Sequence, residues 1–307
     1  MTAPPPPPRD PAFKTGAGKR RPAYLRRLVA GRPPGVRDRP AVASFPAKSA
    51  AAAAPPVRIF IGTEPLQARA ERVLAWSILK HRRHDLAYEI HLMKDLKGFD
   101  RRFWQTGFTN YRYAIPALAG LEGRAIYNDV DQIYLADAAD LFDMPMAEAG
   151  ALSLDGLDTS VMLIDCARMA DVWPVDLARS GRRQHAAFRA RAAERGLWGR
   201  LPSEWNARDQ EYTAGQSKLL HYTTLHTQPW RPFPDEIRYG PHPEATLWLD
   251  LEAEADGAGF TLFTADRPGP NFSRFVENVD ESERPAPALL LRRLVDRHNA
   301  LTLFVVG

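Results

Sequence analysis

Between Val57 and Met93 the hydrophobic pattern changes period twice, and that change limits the folds open to the chain. Val57-Arg58-Ile59-Phe60-Ile61 is a β-branched and aromatic strand that ends in Gly62-Thr63-Glu64. Pro65 suits the first turn of a helix running to about Lys80, with Leu66, Ala70, Val73, Ser77 and Ile78 as its inward face. Tyr88, Ile90 and Leu92 then alternate with Glu89, His91 and Met93 as a second strand. Strand, helix, strand in this order opens a mostly parallel sheet, so the predicted class is α/β. Further strands are read at Arg124 to Asn128, Ile133 to Leu135, Val161 to Ile164 and Lys218 to Tyr222, with a helical pattern over 184–195. After Tyr222 proline and turn residues dominate, and Trp230, Trp248 and Phe260 are scattered anchors. A helix near 286–298 and a strand-like run from Leu301 to Val306 form a predicted C-terminal extension over 266–307.

Ahead of Val57 the pattern is lost. The first 56 residues hold 13 of the 27 prolines, including Pro4 to Pro8, and the alanine run Ala50 to Ala54, so 1–56 reads as a disordered tail. Residues 1–50 carry 11 Lys and Arg against 2 Asp and Glu, whereas the rest of the chain carries 30 against 35. The net charge of +4 therefore belongs to the tail, and the remainder is mildly acidic. That distribution argues against a dedicated nucleic-acid site and leaves the basic tail as a flexible linker, or as a contact for anionic lipid or RNA that is not built to recognise either. A single cysteine, Cys166, rules out an internal disulfide framework and a multi-cysteine metal site. It favours a reducing compartment, so the expected location is cytoplasmic, with the tail able to touch the inner face of the membrane. There is no run of 18 apolar residues.

Several enzyme classes lose their usual supports. Gly-x-Gly-x-x-Gly does not follow the first strand, and Gly-x-x-x-x-Gly-Lys-Ser/Thr, His-Glu-x-x-His and Gly-x-Ser-x-Gly are absent. Cys166 has no obvious basic partner and reads as buried and inert, and His185 and His226 read as structural or exposed. What remains is Asp129-Val130-Asp131 at a strand end. Alternation along an extended segment puts both carboxylates on one side, about 6–7 Å apart at the backbone, while Val130 points into the sheet. Two such carboxylates can hold one divalent cation, and an ordinary solvated turn is the alternative. His221 closes another strand, and joins the acids if both strands share a sheet; two carboxylates and an imidazole suit Mn²⁺ better than Mg²⁺.

Several stretches in the same order resemble the family 8 glycosyltransferases, retaining enzymes of the GT-A fold. They are Ile59 to Glu64, Arg112-Tyr113-Ala114-Ile115-Pro116, Ile126 to Asp131, Asp158-Thr159-Ser160-Val161, Leu201-Pro202, Trp205-Asn206, Asp209-Gln210, and His221-Tyr222 with Gln228-Pro229-Trp230. The resemblance covers about 57–233 and implies a GT-A domain over 57–265, with a central mostly parallel mixed sheet flanked by helices. It implies a metal-dependent retaining hexosyltransferase that uses a nucleotide sugar, UDP-linked, with Mn²⁺ (Mg²⁺ as second choice) held by Asp129, Asp131 and His221. Gly62, Thr63, Glu64, Arg112 and Val130 form the implied donor-binding set, and Asp158, Asp209 and Gln210 the catalytic set. Gln210 shields the anomeric carbon during front-side attack, while Asp158 and Asp209 bind sugar hydroxyls. The acceptor, whether saccharide, lipid-linked or protein, is left open. Gln228 stands where the family carries a phosphate-binding lysine, Ser160 replaces a glycine and Asp158 an asparagine. These departures keep two alternatives: a nucleotide-sugar-binding protein with little transfer activity, and a metal-dependent nucleotide-sugar hydrolase.

Overall fold

The computed structural model describes residues 35–48, 55–101, 104, 106–180, 184–232 and 239–262. Most of the predicted tail, and the predicted extension over 266–307 with its helix and strand-like run, lie outside the described residues. Among the described residues there are ten strands: β1 (Ala41–Phe45), β2 (Val57–Gly62), β3 (Tyr88–Met93), β4 (Arg124–Asp129), β5 (Gln132–Tyr134), β6 (Ala151–Ser153), β7 (Val161–Asp165), β8 (Trp198–Arg200), β9 (Ala207–Arg208) and β10 (Leu219–His221). The longer helices are α1 (Ala68–His81), α2 (Gln184–Glu194) and α3 (Ala245–Gly257). Among the described residues no helix is long and apolar enough to cross a membrane.

Seven strands form one mixed sheet in the order β1-β3-β2-β4-β7-β6-β8. β3, β2 and β4 pair in parallel, β7 lies antiparallel between β4 and β6, and β8 runs parallel to β6. Only β1 and β7 therefore run against the other five, which gives the mostly parallel mixed sheet with flanking helices. The centre is apolar on both faces, as a sheet covered by helices requires: Ile59, Phe60, Ile61, Ile126, Tyr127, Met162 and Leu163 are all fully buried.

Strands β6, β8 and β9 add to the sequence reading, and two elements overturn it. Ala41–Phe45, placed in the tail by its prolines, is an edge strand antiparallel to β3 that buries Ala41, Ala43 and Phe45. Pro40 and Pro46 flank it, positions that an edge strand tolerates. Residues 245–257, read as turn-rich with a scattered tryptophan, form helix α3, which lies along α1. Arg69, Arg72 and Lys80 of α1 pair with Glu252, Asp256 and Glu254 of α3, and the Arg69 guanidinium sits 5.2 Å over the Trp248 ring. The helix that follows β2 as predicted begins as a 3₁₀ turn, Pro65–Gln67, before α1.

A second sheet holds β5, β10 and β9, with β10 antiparallel to β5 and parallel to β9. The chain passes from the large sheet to the small one within Asp129-Val130-Asp131, because β4 ends at Asp129 and β5 starts at Gln132. Below the carboxyl end of β2, a fully buried ion pair joins Lys94 to Glu71, with Nζ 2.9 and 3.0 Å from the two carboxylate oxygens. Thr63 donates its hydroxyl to the same carboxylate at 2.6 Å. Removing one member strands a buried charge, whereas removing both does not. Lys94→Met is expected to lower stability by about 3–5 kcal/mol, and Lys94→Met with Glu71→Leu to return to within about 1–2 kcal/mol of the parent, both read by urea denaturation.

Candidate metal centre

The crossing between the sheets delivers the two acids. The N–H of Asp129 donates to Ser160 O at 2.9 Å, that of Val130 to Gly62 O at 3.1 Å, and that of Tyr222 to Asp131 O at 2.9 Å. Asp129 is thereby pinned to the large sheet and Asp131 to the end of β10. His221 closes β10 in the small sheet, so it does not share a sheet with β4; its pairing opposite Gln132, the residue directly after Asp131, brings the imidazole to the acids. Asp129, Asp131 and His221 each present one ligand atom, all within 4.8 Å of one another.

Each of the three is held from behind. Asp129 Oδ1 accepts the Tyr127 hydroxyl at 2.5 Å and Arg112 Nη2 at 3.0 Å. Burial raises the Asp129 carboxyl to about 6 against the opposing pull of Arg112, with the Asp131 charge adding to the rise. His221 Nδ1 lies 3.0 Å from Asn206 Oδ1, an acceptor, so Nδ1 carries a proton and Nε2 is the nitrogen that faces Asp131. Burial by itself lowers the His221 pKa, but Asp131, Asp158 and Asp129 together raise it to about 9. Asp131 Oδ1 is buried, 3.2 Å from His221 Nε2, and receives no aligned hydrogen bond. A bare buried carboxylate oxygen beside an imidazole nitrogen and a second carboxylate is a donor set that fits a divalent cation such as Mn²⁺.

The predicted donor-side residues lie close to this trio, mostly with their polar groups engaged. The Arg112 guanidinium is buried: Nε donates to Thr109 O (2.8 Å), Nη1 to Thr159 O and Oγ1 (2.6 and 2.9 Å), Nη2 to Asp129, and the group sits 4.5 Å over the Tyr127 ring. Gly62 ends β2 where no side chain fits, since a Cβ there would stand 2.1 Å from Tyr127 Oη and 2.6 Å from Phe108 Cδ2. Thr63 turns its hydroxyl to Glu71, and Glu64 and Val130 are buried.

Asp158 joins the network. Its Oδ1 accepts Ser160 N (3.0 Å) and Oγ (2.5 Å), and its Oδ2 accepts Asn206 Nδ2 (3.0 Å), so Asn206 bridges Asp158 and His221. Burial pushes its pKa up, but His221 and the Ser160 donors outweigh that and hold it below the ordinary value. Asp209 and Gln210 follow Arg208, which stands opposite His221 in the β9–β10 pair. Asp209 has φ +45° and accepts from the hydroxyls of Thr223 and Thr224 (the latter at 3.0 Å), Thr224 N at 3.4 Å and His242 Nε2 at 3.3 Å. Its carboxylate is saturated by protein donors, while Gln210 is half-buried beside it.

Tyr127, Thr159, Thr223 and His242 were missed. Tyr127 had a readable signal, because it alternates with Asp129 onto the same face of β4. His242 had a weaker one, a lone histidine between Pro241 and Pro243. Cys166 is buried, and burial pushes its thiol up to about 12, in keeping with an inert thiol. His226 is buried, and His185 lies 2.7 Å from the Tyr113 hydroxyl through Nδ1.

No protein-family model matches the chain, and no curated protein does. Solved structures do. The WbbM bifunctional glycosyltransferase is matched at TM-score 0.46 and 13% identity over 67% of this chain and 53% of that one. Glycosyltransferase GlyE of Streptococcus pneumoniae TIGR4 is matched at 0.47 and 14%, over 64% and 61%. Galactosyltransferase LgtC, solved with donor and acceptor sugar analogs, is matched at 0.44 and 12%, over 64% and 96%. The match thus spans little more than half the length of the first and under two thirds of the second.

His185 gives the region a pH dependence of defined sign. Burial, with Arg112 and Arg189 adding, lowers its pKa from 6.5 to about 3, so the folded chain keeps the ring neutral while the unfolded chain protonates it below about 6.5. Its contribution to stability is complete above pH 6.5 and is lost as the pH falls toward 3. His185→Gln, which keeps an acceptor for Tyr113, is expected to flatten stability between pH 6.5 and 4.5 by about 1–2 kcal/mol, measured by urea titration at each pH.

Proposed function

We propose that the chain is a metal-dependent retaining glycosyltransferase that moves a hexose from a nucleotide sugar, UDP-linked, to an acceptor hydroxyl. The observation that carries this reading is the convergence of Asp129, Asp131 and His221 on one point, with a buried Asp131 oxygen turned to the His221 imidazole. The centre lies where the carboxyl ends of β2 and β4 meet, the edge at which open α/β sheets bind their ligands. The ordered resemblance of the surrounding motifs to family 8 adds the donor class.

Asp129, Asp131 and His221 hold the cation, which when bound supplies Lewis-acid stabilisation of the charge that builds on the departing diphosphate. Arg112 acts by fixing Asp129 and the Thr159 backbone, and Gly62 lets Tyr127 and Phe108 pack against the end of β2. Asp158, held ionised by His221 and the Ser160 donors, orients sugar hydroxyls. Asp209 is tied down by Thr223, Thr224 and His242, so it serves by fixing the Asp209–Gln210 turn, and Gln210 covers the anomeric carbon. Gln210 is a weak nucleophile, so the acceptor hydroxyl attacks from the face the leaving group vacates, and its proton passes to the departing phosphate oxygen. The basic tail keeps this chemistry near the inner face of a membrane.

Nucleoside diphosphate release from a panel of UDP- and GDP-sugars with Mn²⁺ tests this. Release is expected from one donor, to fall more than about 100-fold in Asp131→Ala, since even groups behind metal ligands cost 10–100-fold, and to vanish on chelation. Equal release of free sugar with and without acceptor would make the chain a hydrolase. Donor binding without turnover across an acceptor panel would make it a binding protein.

A further inference from the structure

We propose that Gln228 is a positioning residue of the metal centre, which orients Asp131 without cancelling its charge. The inference rests on the metal-binding reading of the Asp129, Asp131 and His221 cluster. Gln228 follows the 3₁₀ turn Leu225–Thr227 and is 2% exposed. Its Nε2 donates to Asp131 Oδ2 at 3.2 Å and to Tyr222 O at 3.0 Å, which uses both of its hydrogens. Tyr222 in turn donates its N–H to Asp131 O at 2.9 Å. One amide therefore ties the segment after His221 to the side chain of the neighbouring ligand.

The arrangement fixes which oxygen faces the cation. Oδ2 of Asp131 is occupied by Gln228, and Oδ1 faces His221 Nε2 at 3.2 Å, within the cluster. The amide has only one workable orientation, because a flipped group would press its oxygen against a carboxylate and a carbonyl. Gln228 Oε1 itself is buried without a hydrogen-bond partner, so the side chain is held in place by its donors alone.

Charge explains why an amide suits this position. Arg112 already offsets Asp129, and the group that faces Asp131 is His221, itself a member of the cluster, so among the described residues Asp131 carries no cation from outside the cluster that a divalent ion would have to compete with. An ammonium at position 228 would donate equally well but would neutralise Asp131 and compete with the cation. A neutral amide donates and leaves the charge in place.

The test is Mn²⁺ affinity, read by electron paramagnetic resonance of free Mn²⁺ in the full chain, with the visible spectrum of bound Co²⁺ as a report on ligand geometry. Gln228→Met, close in shape but without a donor, is expected to weaken Mn²⁺ binding about 10-fold and to shift the Co²⁺ bands, with the metal-free melting temperature little changed. Gln228→Lys is expected to weaken it more than Met does. Mn²⁺ binding within twofold of the parent in the Met variant would overturn the proposal, as would tighter binding in the Lys variant. If Met fails to fold, the Lys variant carries the test alone. A parent that binds Mn²⁺ no better than Asp131→Asn overturns the metal reading itself, which separates that failure from a failure at Gln228.

Discussion

The contact between the Arg112 guanidinium and Asp129 is the interaction on which the site depends. Asp129 and Asp131 stand two residues apart, both largely withdrawn from water, and two such carboxylates repel. Arg112 relieves this on one side only, since its bond is to Asp129 Oδ1. The same guanidinium binds Thr159 at both its carbonyl and its hydroxyl, so the strand end, the crossing segment and the loop before β7 are fastened through one planar group. A guanidinium does this where an ammonium would not, because its donors lie in a fixed fork.

From that fastening the rest of the centre follows as a set of ligands held from behind. Tyr127 and Arg112 hold Asp129, Asn206 holds His221, and Asn206 and Ser160 hold Asp158. Supports of this kind fix ring orientation and tautomer, and they leave little for a cation to reorganise on binding. The residues first read as touching the donor act more through one another than through exposed polar groups: Arg112, Thr63 and Asp209 spend their donors and acceptors within the protein.

The sequence was legible where one element carries its own period. β2, α1, β3 and β4 are long enough for alternation or a helical face to show, and the Asp129/Asp131 pair follows from β4 alone. β1 was hidden because Pro40 and Pro46 mask a five-residue alternation. α3 was hidden because Leu249-Asp250-Leu251-Glu252-Ala253-Glu254-Ala255-Asp256 alternates with period two, yet folds as a helix whose acids answer the arginines and lysine of α1. The small sheet joins 132–134, 207–208 and 219–221, segments of two or three residues whose pairing depends on the rest of the fold and leaves no local signature. His221 was identified by its strand end, but the reason it reaches the acids lies in that pairing.

The bare end of β2 has a consequence for how such a chain can vary. Any side chain at position 62 would meet the Tyr127 hydroxyl and the Phe108 ring together, and the Tyr127 hydroxyl is also a support of Asp129. A methyl group there would be felt as a loss of order at a carboxylate on the next strand. Shrinking Tyr127 alone does not make room, because Phe108 still blocks the space. A side chain at position 62 therefore requires two aromatic side chains distant in sequence to shift together.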